Sequence, residues 1–301
     1  MPTILEILLR GLVRTAAGLG AFGVGLLGLV GLSRVLPKIG SLIFRLARVT
    51  VRLPNDPVPD SWPDILERRV PLAARLPAES RQQLYRLTQL FLNEIPIEGC
   101  KGLVLTEEMR VTIAAQACLL LLRADYPRYP KLRRVLVYPR TFVPTDFHLQ
   151  ASEIEETPAP VVGQAWANGT VLLSWDSVRA GGENPNDGRN VVLHEFAHVL
   201  DGEDGAFDGV PVLATGSAYQ AWGYALANRF ARHQRLVRRG RKGSMDPYGA
   251  TSRAEFFAVS TEAFFEKPHQ LAKKEPDLYR QLATFYGFDP VAQRGTPSAS
   301  G

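Results

Sequence analysis

The stretch NVVLHEFAHVLDGED, residues 190–204, constrains this chain more than any other. Val191, Val192, Leu193, Phe196, Ala197, Val199 and Leu200 are apolar, and Gly202 follows them. That pattern predicts a buried helix over about residues 189–201, ended by the glycine. Residues four apart on a helix share a face, so His194 and His198 aim both imidazoles at one point, with Glu195 to the side. Unpaired polar groups are costly in a core, and a metal ion is the simplest partner for this set. The alternative is a pair of hydrogen-bonded core histidines.

The spacing matches the H-E-x-x-H pattern of zinc peptidases, which supplies two ligands and a general base. A catalytic zinc site takes three protein ligands and keeps one position open. No further histidine stands at the H-x-x-G-x-x-H spacing, so the third ligand is expected to be a carboxylate from a later element. RAEFFAVSTEAFFEKP (253–268) offers Glu255, Glu262 and Glu266 at i, i+7 and i+11, close to one helical face. Spacing alone does not choose among them. Such a site would acidify a water and polarise a carbonyl, while Glu195 accepts the water's proton and passes it to the leaving amine. Asp201, three residues after His198, is placed either to orient an imidazole or to stand in solvent. His148, His233 and His269 have no partner at ligand spacing and are expected on the surface or in loops.

The rest of the chain reads as α+β, mainly helical, with a small mixed sheet. PAESRQQLYRLTQLFLNEI and EEMRVTIAAQACLLLLRAD predict core helices, and further helices are expected over 217–237 and 253–267. RRVLVYPRTF and GTVLLSWDSV read as strands, rich in β-branched residues; the latter is expected to offer an edge to an extended peptide. The Gly/Asp-rich loop 202–216 is positioned to gate the site. GTPSASG belongs to a disordered tail, residues 291–301.

The first fifty residues differ in kind. Residues 15–33 are uncharged, long enough to cross a hydrocarbon core, and carry a small-residue row, Ala17, Ala21 and Gly25. Five Lys/Arg follow within twenty residues against two before, which places the body on the cytoplasmic side of an inner membrane if the segment spans it. Residues 38–52 are amphipathic and basic, suited to an anionic lipid surface or to docking on the body. LPNDPVPDSWP (53–63) reads as a proline-rich linker, which leaves 64–290 as the main domain. The pI of 9.3 invites a nucleic-acid reading. Residues 1–52, however, hold seven Lys/Arg against Glu6, so of the formal +5 the remainder contributes −1. The body is nearly neutral, so the basic pI says little about DNA, and no direct nucleic-acid partner is expected. The basic run 229–243 is expected to be a solvated helix end and loop. Cys100 and Cys118 form no CxxC pair, which suits a reducing compartment.

NVVLHEFAHVLDGEDG, YGATSRAEFFAVSTEAFFEKP, EMRVTIAAQACLLLL and VLLSWDSV together resemble the Mlc titration factor A family of zinc metallopeptidases, over roughly residues 60–290. The resemblance implies a gluzincin-like catalytic domain with Zn2+ held by His194, His198 and Glu255, the Glu of the AEFFAV segment. It implies Glu195 as the base and Tyr248 as a donor to the oxyanion, against the alternative of a packed loop tyrosine. Glu262 then becomes a supporting acid and Glu266 a solvated surface charge. Two functions follow from the resemblance: an aminopeptidase or endopeptidase of limited activity, and a binding protein that sequesters a transcriptional regulator. The hydrophobic N-terminal segment departs from the family pattern, so tethering at the inner membrane face stands beside a cytoplasmic location.

Overall fold

A computed structural model describes residues 53–122, 128–140, 163–165, 168–241 and 243–293. These fall in the second of two units, Val51–Gly301. The hydrophobic segment 15–33, the basic stretch 38–52, His148 and residues 294–301 lie outside the described residues. Among the described residues, no helix is long and apolar enough to cross a membrane.

In chain order, helices α1 (Ser61–Arg69), α2 (Pro71–Ala74) and α3 (Ala78–Glu94) lead to strand β1 (Ile97–Gly99) and helix α4 (Glu107–Leu119). Strands β2 (Arg134–Tyr138), β3 (Gly163–Ala165) and β4 (Thr170–Ser174) precede helices α5 (Trp175–Glu183) and α6 (Val191–Asp201). The chain continues through α7 (Gly216–Arg238), α8 (Arg253–Glu266), α9 (Pro268–Lys274), α10 (Pro276–Tyr286) and α11 (Pro290–Gln293). Single 3-10 turns occupy Gly202–Asp204 and Pro247–Ala250. The architecture is mainly helical with one small sheet, as the periodicity predicts.

The sheet runs β1-β2-β4-β3. β1, β2 and β4 are parallel, with Val135 opposite both Ile97 and Val171, and β3 pairs antiparallel with β4. Every residue of β4 is buried, which explains its continuous apolar run: a strand covered on both faces needs no alternation. Two expectations for this segment need correction. The strand ends at Ser174, whose Oγ accepts the Ser177 N–H at 3.2 Å and caps α5, so WDSV is helical. β4 also has a neighbour on each side, and among the described residues the edges belong to β1 and β3.

Helices α4 and α8 are buried on nearly all sides, α8 continuously from Phe256 to Glu266. Such helices form the centre of a core rather than its rim. α8 packs lengthwise on α6, and α4 on α3. At the N-terminal border, Leu53 and Val58 pack on the core. The Gln89 amide donates to the Asp56 and Pro57 carbonyls, both at 3.2 Å. Ser61, Trp62 and Pro63, read as the end of a linker, form the first turn of α1, with Trp62 buried. At the other border, α11 extends three residues into the expected tail.

Candidate metal centre

Asn190 starts helix α6. Its Oδ1 accepts the Val192 and Leu193 N–H groups, each at 3.1 Å, satisfying donors that a helix start leaves orphaned. Its Nδ2 donates to Gln116 Oε1 at 2.8 Å and Gly181 O at 3.3 Å, tying the helix start to α4 and α5. The core face of α6 is fully buried at Val192, Leu193, Phe196 and Ala197. The Phe196 ring packs against Phe91 and Tyr129, centroids 5.7 and 4.9 Å away. With that face locked into the core, His194 and His198 are left on the other, each 12% exposed at the side chain.

Helix α8 brings the third group. Ser252 caps it by accepting the Glu255 N–H at 3.1 Å, which sets Glu255 in the first turn, where the core opens. Glu255 Oε2 lies 2.9 Å from His194 Nε2 and 3.3 Å from His198 Nε2, and the two nitrogens are 3.3 Å apart. Zinc–nitrogen and zinc–oxygen bonds of about 2.0–2.1 Å in a tetrahedron separate neighbouring ligand atoms by about 3.3 Å. The three edges, at 2.9–3.3 Å, fit that triangle. His194 Nδ1 faces Glu262 Oε1 at 3.4 Å. With Nδ1 turned to Glu262, His194 directs Nε2 at Glu255, and a cation between the two can take the place of the Nε2 proton. The donor set therefore fits a metal ion, and among the described residues it is the group of three His, Cys, Asp or Glu side chains able to hold one.

The electrostatics agree. Burial opposes protonation of His194, but the hydrogen bonds to Glu255 and Glu262 and the charge of Glu195 outweigh it and push its pKa well up. The pocket thus favours positive charge. Burial alone would raise Glu255, yet the hydrogen bonds from His194 and His198 pull it down to about 2, so it is ionised. Tyr248 is 54% exposed, with its ring 6.2 Å from that of His194. Burial and then the charges of Glu255 and Glu195 raise its phenol, so it retains its proton beside the site. Asp246 caps the turn that carries it, accepting the Tyr248 N–H at 2.9 Å. Asp246 also pairs with Arg189, just before α6, at 2.7 Å.

Of the three glutamates that spacing left open, geometry brings Glu255 to the histidine nitrogens. Glu262 stands behind His194 and accepts the Asn190 N–H at 3.1 Å. Glu266, expected in solvent, is 2% exposed. Its Oε2 accepts the Gly188 and Arg189 N–H groups at 2.8 and 3.0 Å. Burial and the charge of Asp187 push it up to about 8. His233, expected on the surface or in a loop, is 3% exposed. It lies on α7 against the Phe256 ring, with Nε2 3.0 Å from the Asp246 carbonyl. Asp201 is fully buried and accepts the Gly209 N–H at 3.0 Å; burial raises it to about 7. It organises the following loop and stands neither in solvent nor as the expected partner of an imidazole. His269 is exposed, as expected. The basic run 229–243 is helical through Arg238, and Arg229 pairs with Glu275 and Asp277. Asn190 escaped the sequence reading, although an Asn immediately before an apolar periodic run is a helix-start signal.

The model of the glucose-regulated metallo-peptidase family M90 matches residues 44–287. An uncharacterized protein of Synechocystis sp. is 39% identical over 237 residues, covering 78% of this chain and 86% of its own length. The Mlc titration factor A of Cronobacter sakazakii is 31% identical over 239 residues, 77% of this chain and 89% of that protein. That of Yersinia enterocolitica is 31% identical over 236 residues, 77% and 86% of the two chains. The family match spans α1 to α10 and includes both metal-facing helices, so the chain belongs to the M90 metallo-peptidase family, together with the Mlc titration factor A proteins.

Proposed function

We propose that this chain is a zinc-dependent peptidase in which His194, His198 and Glu255 hold the metal and Glu195 is the general base. The convergence of two imidazole nitrogens and one carboxylate oxygen within 2.9–3.3 Å of one another carries this reading. When bound, zinc supplies Lewis acidity toward a water and a peptide carbonyl. The chain's own groups do the rest. Glu195 is 3% exposed and adjoins His194 in sequence; as a carboxylate it accepts the attacking water's proton and delivers it to the leaving amine. Tyr248, protonated and half-exposed, donates to the carbonyl oxygen as negative charge develops there. Glu262 fixes the His194 ring from behind. A gluzincin-like ligand set accounts for the reading, with aminopeptidase-like or limited endopeptidase activity as its expected forms.

Metal content and peptide cleavage measured together on wild type and Glu195→Gln test it. Both proteins should bind about one zinc, while the variant loses at least about a hundredfold in turnover. Wild type without zinc, or a variant as active as wild type, would refute the assignment.

A second reading rests on the relatives' printed name, titration factor: the chain also sequesters a transcriptional regulator. A pulldown from its own cells should then retain the partner after Glu195→Gln and after chelation. A partner lost on either treatment points instead to substrate capture. For residues 15–33 we propose a tether that holds the body at the cytoplasmic face of the membrane. Deletion of residues 1–52 should then release the protein from the membrane fraction, and unchanged membrane association would exclude the tether.

A further inference from the structure

Gly202 ends helix α6 with φ −78° and ψ 5°, a conformation open to any residue, so backbone freedom does not explain a glycine there. Space does. A Cβ at Gly202 would stand 2.5 Å from Cζ and 2.6 Å from Cε1 of Phe207. The phenyl ring thus occupies the place where the side chain of residue 202 would begin. Gly202 follows His198 by one helical turn on the same face, and Cα–Cβ bonds on a helix tilt toward its N-terminus. The ring therefore sits one helical turn beyond His198, on the side of α6 that carries the histidines. Phe207 is nevertheless 43% exposed.

The loop that carries it is anchored. Asp201 accepts the Gly209 N–H at 3.0 Å, and the Trp222 indole donates to the Gly209 carbonyl at 2.9 Å. Gly209 has φ +81°, and a Cβ there would stand 2.5 Å from the Arg253 carbonyl oxygen, two residues before Glu255. Lys131 reaches the Gly202 carbonyl at 3.2 Å, and the Tyr219 hydroxyl accepts the Leu213 N–H at 3.0 Å. Loop 202–216, expected to act as a gate, is tied to α6 and α7 and lies against the start of α8. The anchored loop thus holds the Phe207 ring in a fixed place while leaving part of its apolar face open to a ligand. Tyr248 flanks the His194 side of the centre and Phe207 the His198 side. The interval from residue 194 to residue 202 along α6 is about 12 Å, the length of three or four extended peptide residues.

We propose that Phe207 forms an apolar subsite beside the metal centre and selects peptide substrates bearing an aliphatic or aromatic side chain at one position near the scissile bond. This rests on the peptidase reading. The test uses zinc-loaded wild type, Phe207→Ala and Phe207→Leu, with internally quenched peptides in which each position in turn carries Leu or Ser. Wild type should prefer Leu at one position by about tenfold or more in kcat/KM, expressed in KM. Phe207→Ala should bring that ratio to within about twofold while the Ser peptide and kcat stay unchanged, and Phe207→Leu should keep most of it. Should Phe207→Ala fold poorly, Gly202→Ala, which displaces the ring, should lower the same ratio. The subsite is overturned if the ratio survives ring removal, if Leu and Ser peptides lose equally, or if wild type shows no apolar preference at any position. If zinc-loaded wild type cleaves no peptide at all, the peptidase reading fails and the subsite with it.

Discussion

At the start of α8, Glu255 is partly exposed, faces two imidazoles and is held down to about 2; eleven residues later, Glu266 is 2% exposed, faces two backbone N–H groups and is pushed up to about 8. The residue type, the helix and nearly the helical face are the same. The difference comes from what stands at each end: two histidines of α6 toward Glu255, and toward Glu266 chiefly the uncharged amides at and before the start of α6. One end of α8 is built to hold charge for chemistry. The other holds a carboxyl group whose function is to fasten the loop leading into α6. A glutamate's role thus depends on which partners supply positive potential, since burial by itself raises both.

The largest effect should come from removing the charged end. Glu255→Gln should leave the fold intact but reduce bound zinc to below about a tenth of the protein and abolish cleavage with it. Elemental analysis after gel filtration checks this, and retention of stoichiometric zinc would break the contrast between the two ends.

The buried end should show itself through pH. Because the folded state holds the Glu266 proton more tightly than the unfolded chain, whose carboxyl has the ordinary value near 4.5, its contribution is complete below about pH 4.5. It is lost as pH rises through about 8, and amounts to a few kcal/mol on the order of magnitude. Glu266→Gln cannot ionise, so its stability relative to wild type should improve between pH 5.5 and 8.5. Urea midpoints at the two values measure it. A constant difference would mean that Glu266 is charged throughout.

Between the two ends stands Glu262. Glu262→Gln keeps a hydrogen-bonding group of the same shape but replaces the carboxyl group behind His194, and should weaken zinc affinity by about 10- to 100-fold. Glu266→Gln should leave that affinity unchanged. A chelator competition run on both variants sharpens the comparison.

The smallest effect is expected at Arg189. Its backbone N–H is held by Glu266 while its side chain, largely exposed, pairs with Asp246. Arg189→Ala spares the backbone bond and should cost no more than about 1 kcal/mol in a thermal or urea melt. A larger loss would show that the Arg189–Asp246 pair, rather than Glu266, fastens the entry to α6.

Residues 191–201 were legible because what marks them is local: a 3.6-residue apolar period with a glycine at its end. The strand boundary after Ser174 was less so, since VLLSWDSV is apolar enough for either state and a serine side chain settles it by capping α5. His233 was misread for a related reason. A histidine in a basic helical run looks solvated until a neighbouring element covers it, and Phe256 and the Asp246 carbonyl do so here. The ring of Phe207 gave no periodic signal at all, because its place at the site depends on a missing Cβ five residues earlier.

By itself, the sequence determined that two imidazoles and a carboxylate share one short buried helix, because helical spacing is a property of the backbone and needs no distant partner. Only the tertiary structure decided which of three glutamates meets those imidazoles, which one serves as a buried fastening, and which ring borders the centre. Those assignments depend on how α8 and loop 202–216 lie against α6, and that is settled by packing between segments far apart in the chain.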